Sequence, residues 1–232
     1  MRAWETLDTV ETAEGRMELR RRSRLGEEKP DFVITVAGRV LMSSMAHLTE
    51  VAVAEMACGE VAGREHPRVL LGGLGMGFTL RAALDVLPRS GRVVVAEINQ
   101  AVVRWCRGPL AHLTDRAAMD FRSRIVVEDV AQVIARAGDQ PFDAIILDLY
   151  EGPRQATQGR EDPFYGPAAL ERTRQALTPG GVLAVWSEDP DAAFEKRLRK
   201  SGFEVERRKP GKGGPRHAIY LAKPRKVYRT RP

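Results

Sequence analysis

The chain is poor in the residues that build metal centres and disulfide scaffolds. It has two cysteines, Cys58 and Cys106, and four histidines, His47, His66, His112 and His217, in 232 residues. The cysteines form no CxxC pair and the histidines are scattered. The sequence therefore offers no metal site, and each cysteine reads as a buried free thiol. No apolar run approaches the ~20 residues needed to cross a bilayer. The amino terminus, MRAWETLDTVETAEGR, is polar and acidic and lacks the core of a signal peptide, which places the protein in the cytoplasm by default. There is no internal repeat, and the one biased tract is a basic stretch at the carboxyl end.

That stretch accounts for the net charge of +6. From Arg207 to Pro232 there are ten lysines or arginines and no acid; the rest of the chain holds 27 basic against 31 acidic residues. The basicity belongs to the terminus and not to the body. A polyanion such as nucleic acid is the functional reading of Lys209, Lys212, Arg216, Lys223, Arg225, Lys226, Arg229 and Arg231. A solvated chain end without a dedicated partner is the favoured one, because Tyr220 and Tyr228 alone offer stacking surface there.

With 43% hydrophobic and 29% charged residues, the composition suits one substantial core and a small appendage. Residues 1–45 read as a small domain of short strands, with RMELRRRSR and DFVITVAGRVLMSS separated by Gly26 and Pro30. Residues 46–62 carry apolar side chains at helical spacing. From Val69 strands and helices alternate. Strands are expected at 69–72, 92–97, 124–128, 142–148, 182–187 and 203–208. Helices are expected at 77–87, 100–107, 130–137, 166–177 and 190–201. This pattern specifies a doubly wound, mostly parallel, Rossmann-like α/β sheet over 46–223. The short link KPGKGG before a last strand, 216–222, makes the carboxyl end an antiparallel hairpin. Residues 224–232 are the basic tail.

The chemistry concentrates in residues 69–97. The strand VLLGG runs into a glycine cluster, Gly72, Gly73, Gly75 and Gly77, with Met76 inside it, and the next strand ends on Glu97. Glycines let the backbone turn tightly and let a ligand lie against it. A carboxylate at the tip of the second strand, 20 residues after Gly77, suits the two hydroxyls of a ribose. The pattern predicts a nucleoside ligand across the carboxyl ends of the strands. Two further strand ends carry acids. Asp129 either caps the following helix or accepts from an adenine amino group. Asp148 ends a wholly apolar strand and suits a base or an anchor for an ammonium or sulfonium charge.

The segments VLLGGLGMGFTLR, VVVAEI, VVEDV, FDAIILDLYEGP and PFYGPAALERTRQALTPGGVLAV together resemble the spermidine synthases (polyamine aminopropyltransferases), across roughly residues 65–190. The broader class is the fold of the S-adenosylmethionine-dependent methyltransferases. The resemblance implies a transferase, a homodimer, and S-adenosylmethionine or its decarboxylated form as co-substrate. The nucleoside would be held by Gly73, Gly75, Met76, Gly77, Glu97, Asp129 and Asp148. An aminopropyl group would pass to a small amine, with Asp148 as catalytic acid–base and Glu151 assisting. Departures from the family fall on the amine side. Met76 stands where the family has an aspartate, and the family's Tyr-His-Glu reads Val53-Ala54-Glu55, so putrescine is expected to be a poor acceptor. A methyltransferase on the same scaffold is the second reading. A non-catalytic nucleoside-binding module is the third.

Overall fold

The computed structural model describes residues 3–23, 29–149, 152–153, 159, 161–211 and 217–225. Two sheets form. The first is an antiparallel meander of β1 (Glu5–Thr12), β2 (Gly15–Arg22), β3 (Asp31–Val36) and β4 (Arg39–Ser43). The stretch DFVITVAGRVLMSS is thus a hairpin, turned at Ala37 and Gly38, both at positive φ. Every residue of β3 is buried. Met17, Leu19, Phe32, Ile34 and Val36 join the same apolar cluster as the helices that follow. Helix α1 (Leu48–Gly59) buries Val53, Ala54, Ala57 and Cys58.

The second sheet contains β5 (Arg68–Gly72), β6 (Arg92–Glu97), β7 (Ser123–Val127), β8 (Phe142–Leu147), β9 (Leu177–Ser187), β10 (Phe203–Arg208) and β11 (Ala218–Pro224). Its order is β10-β11-β9-β8-β5-β6-β7. The pairs β5–β6, β5–β8, β6–β7 and β8–β9 are parallel, while β11 runs antiparallel to β9 and β10. All six residues of β8 are buried, as a central strand covered on both faces requires. Helices α2 (Phe78–Val86), α3 (Gln100–Arg107), α4 (Val130–Ala135), α5 (Pro167–Gln175) and α6 (Ala192–Lys200) make the crossovers. Asn99, Asp129 and Asp191 cap α3, α4 and α6 by accepting from backbone N–H groups.

Three details depart from the sequence reading. The TPGG segment lies within β9 and is not a turn before it. Two short 3-10 turns, Ala111–Thr114 and Ala117–Met119, fill the link between α3 and β7. Strand β11 extends through Pro224, which pairs with Phe203, and the Arg225 N–H donates to the Gly202 carbonyl at 2.9 Å. The ordered sheet therefore reaches into the segment expected to be tail.

The small sheet is fastened to the large domain by polar contacts as well as apolar ones. Trp105 Nε1 on α3 donates to Asp8 Oδ2 on β1 at 2.6 Å. This ties the β1 edge of the meander to α3.

Candidate active site

The glycine loop forms because three backbone positions demand it. Gly73, Gly75 and Gly77 have φ of 85°, 52° and 89°, a region that costs residues with a Cβ on the order of 1 kcal/mol or more. At Gly73 the need is doubled: a Cβ would stand 2.8 Å from the Asp148 carbonyl oxygen. At Gly75 a Cβ would occupy the space of the Met42 Sδ and Cε, so β4 lays a methionine across the loop. The loop hands the chain to α2, and its last glycine is the residue before the helix. The glycines thus let the loop pack closely under Met42, Asp148 and Thr114 while it exposes backbone to the cleft at the amino end of a helix.

Glu97 is tied into this loop. It is 8% exposed. Its Oε2 accepts from Leu74 N at 2.9 Å and its Oε1 from Asn99 N at 2.8 Å. Burial raises its pKa, while the surrounding backbone N–H groups, Leu74 first, pull it back down. Oε2 thus holds the glycine loop and Oε1 the head of α3. Beside Glu97, Ile98 is 76% exposed, and Val127, the register partner of Glu97 on β7, is 52% exposed. The sequence signal for Ile98 was available, as an apolar residue following the strand-tip acid, but it reads as the ordinary end of an apolar run.

The remaining predicted residues separate. Asp129 caps α4, its Oδ1 accepting from Ala131 N at 2.8 Å, so the capping role is realised. Oδ2 carries no hydrogen bond among the described residues. Met76 is fully buried within the apolar core. Its side chain packs in that core, and its backbone lies in the loop. Glu151 lies outside the described residues. Glu55 is exposed, while Val53 and Ala54 are core residues. None of the three faces the cleft.

Asp148 stands at the tip of β8 in an open cleft. Leu41, Met42, Glu50, Gly73, Leu74, Gly75, Leu149 and Trp186 complete its walls. Thr79 Oγ1, in the first turn of α2, donates to Asp148 Oδ2. Burial pushes the carboxyl up to about 7; the Thr79 hydrogen bond opposes this and the Glu50 charge adds to it. The contrast with Asp143, at the other end of the same strand, is instructive. Asp143 accepts from Arg64, from Arg68 N at 2.7 Å and from Thr178 Oγ1 at 2.9 Å. Those contacts mark a structural carboxylate, whereas Asp148 has one hydroxyl and a like charge for company.

Glu50 and Trp186 were not singled out in the sequence. Glu50 is the acidic residue in the first turn of α1, a common placement that complements the helix dipole and attracts no attention. Trp186, near the end of β9, closes the cleft opposite the glycine loop.

An open α/β sheet with a glycine loop, a strand-tip glutamate and a cleft at the carboxyl ends of its strands has the fold of the S-adenosylmethionine-dependent methyltransferases. Within that class, comparison places its relatives among the polyamine aminopropyltransferases, and the resemblance read from the motifs is borne out. The chain is 27% identical over 128 residues to the polyamine aminopropyltransferase of Prochlorococcus marinus (strain MIT 9312), covering 55% of this chain and 43% of that protein. The chain thus spans less than half the length of the curated relatives it matches. Its backbone superposes on the spermidine synthase of Thermotoga maritima with a TM-score of 0.69 and 20% identity, over 94% of this chain and 72% of that one. Human methyltransferase-like protein 13, in complex with SAH, gives a TM-score of 0.58 at 18% identity, over 78% of this chain and 83% of that one. No protein-family model matches the sequence.

Proposed function

We propose that this protein binds a sulfonium nucleoside, S-adenosylmethionine or its decarboxylated form, and transfers an alkyl group, aminopropyl in the first reading, to an amine acceptor. One observation carries the proposal: a carboxyl with an affinity for protons near neutrality, Asp148, faces a cleft whose floor is the glycine loop. The likeness to polyamine aminopropyltransferases supports the same assignment.

The chemistry asks little of the protein beyond alignment and a proton acceptor. The amine nitrogen attacks the carbon bonded to the sulfonium. A C–N bond forms, the C–S pair withdraws to sulfur, and the nucleoside leaves as a neutral thioether. The nitrogen then carries the positive charge and an extra proton, which passes to Asp148. Ionised Asp148 also attracts the incoming ammonium group and, once that nitrogen has lost a proton to become the neutral nucleophile, orients its lone pair by accepting one of the remaining N–H groups. Glu97 would hold the ribose, the exposed apolar side chain of Ile98 beside it would meet the base, and the glycine loop would hold the chain attached to sulfur.

Val53, Ala54 and Met76 are fully buried. They contribute no polar contact to a diamine, so we expect slow turnover with putrescine. Methyl transfer is the second reading, and it is favoured by the same burial of Met76: an uncharged loop does not select the decarboxylated co-substrate. Incubation with each co-substrate and a panel of amines, followed by mass spectrometry, tests both. Aminopropylated or methylated amine distinguishes the two transfers. The absence of product from both co-substrates across the panel would refute catalysis of this class, and efficient spermidine formation from putrescine would refute the acceptor restriction.

A further inference from the structure

The cleft holds a second carboxylate that belongs to none of the motifs. Glu50 lines it together with Asp148, and its charge acts on Asp148 across the cleft. Among the described residues no lysine or arginine lines this cleft, and Glu50 has no ion-pair partner. Two acids facing one small space repel each other, and that repulsion is relieved by a cation between them.

Glu50 is also held in place in a way that a solvated helix-end glutamate is not. Thr49 Oγ1 donates to Glu50 Oε2 at 3.0 Å. The same hydroxyl accepts from Trp186 Nε1 at 3.2 Å and lies 3.2 Å from His217 Nδ1. A threonine hydroxyl has one proton and two lone pairs. The indole N–H can only donate, so it takes one lone pair. The proton is directed to Glu50. The second lone pair is left for His217, which fixes that ring as the Nδ1–H tautomer, an assignment from hydrogen-bond count. His217 in turn sits edge-on to the Trp186 ring, centroids 4.9 Å apart. One hydroxyl thus joins α1, the end of β9 and the segment leading into β11. It sets both the carboxylate and the aromatic wall of the cleft.

We infer that Glu50 binds an alkylammonium group in this cleft and that Thr49 is the positioning residue that aims it. The inference rests on the reading of the cleft as the site of a sulfonium nucleoside and an amine. The ammonium has two sources with one chemistry: the aminoalkyl chain of the co-substrate, which passes the glycine loop, or a second nitrogen of the acceptor.

The test uses the full chain and two thioether nucleosides, one without and one with a cationic aminoalkyl chain on sulfur, 5′-methylthioadenosine and 5′-(3-aminopropylthio)-5′-deoxyadenosine. Affinities are measured by calorimetry for wild type, Glu50→Gln, Thr49→Val and Thr49→Ser, with melting temperatures as a check on folding. If the ammonium is the co-substrate's, Glu50→Gln weakens the aminopropyl nucleoside about tenfold or more and leaves methylthioadenosine within twofold. If it is the acceptor's, both nucleosides bind as before, and KM for the amine rises about tenfold or more in the alkyl-transfer assay. Thr49→Val should give the same pattern at smaller amplitude, and Thr49→Ser should restore wild-type behaviour. Either split supports the inference. An unchanged Glu50→Gln protein on all three measurements overturns it, as does an equal loss on both nucleosides, which would mark Glu50 as structural. Failure of the wild-type protein to bind either nucleoside would overturn the reading of the whole cleft; binding by wild type with no effect of Glu50→Gln overturns this inference alone.

Discussion

Replacing Asp148 by asparagine should stabilise the protein while disabling it. The folded carboxyl is pushed from 3.8 to about 7, chiefly by burial at the tip of β8. In the unfolded chain it returns to the ordinary value. At 1.36 kcal/mol per tenfold change in proton affinity, the difference corresponds to at most ~4 kcal/mol of unfavourable ionisation in the folded state. Partial access to solvent from the cleft reduces this, and ~2 kcal/mol is a reasonable expectation. The sign follows from proton binding. Between about pH 4 and pH 7 the folded state holds a proton that the unfolded state has released. Stability therefore falls as pH rises through that window and is lowest, and constant, above it. Asparagine is isosteric, still accepts from Thr79, and does not ionise. Asp148→Asn should match wild type near pH 4 and exceed it by ~2 kcal/mol at pH 8, read from urea unfolding at several pH values. Alkyl transfer should fall by ~10²-fold or more at pH 8. In wild type the rate should decline as pH drops below about 7, where the base becomes protonated. A variant no more stable than wild type at pH 8 would show that Asp148 is not held in an unfavourable ionised state. A stabilised variant with near-normal turnover would show that the carboxyl is strained but not catalytic.

Three further outcomes check the site and its borders. Glu97→Ala removes a carboxylate that anchors Leu74 N and, in our reading, the ribose diol; methylthioadenosine affinity measured by calorimetry should fall by ~1–3 kcal/mol, and an unchanged affinity would remove Glu97 from the nucleoside site. Gly73→Ala places a Cβ 2.8 Å from the Asp148 carbonyl at a φ of 85°; a loss of ~2 kcal/mol or more in urea unfolding is expected, and a neutral result would mean that the two strand tips separate without cost. Truncation after Arg225 should leave nucleoside affinity and turnover within about twofold, because exposed charges beyond a Debye length of ~8 Å are screened. Truncation after Lys223 should cost ~1 kcal/mol in addition, since Pro224 completes the β10–β11 ladder and the Arg225 N–H bonds Gly202. Loss of activity already on truncation after Arg225 would assign the tail a role at the cleft.

The sheet was legible because its signals are local. Buried parallel strands are short apolar runs, and β6, β10 and α3 begin and end where the sequence pattern places them. The glycine loop was legible for the same reason: backbone at positive φ beside a strand end leaves its mark in the residues themselves. What could not be read depends on contacts between distant segments. Met76 sits in a motif that binds ligands, yet the turn of the loop sends its side chain into the core. Asp148 and Asp143 are both acids flanking or opening the same apolar run. Only the arrival of Arg64 and Thr178 at one end, and of Glu50 at the other, makes the first a potential base and the second a fixed brace. Comparison with the family directed attention to positions 53–55, where α1 presents two core residues and an exposed glutamate. The helix faces the cleft one turn earlier, through Glu50. That choice is made by how α1 packs against α2, where His47 stacks on Phe78 with ring centroids 4.0 Å apart. A motif therefore predicts which helix supplies a charge to the site better than it predicts which residue on that helix does so. The packing of the helix against the start of α2, beside the glycine loop, decides the residue.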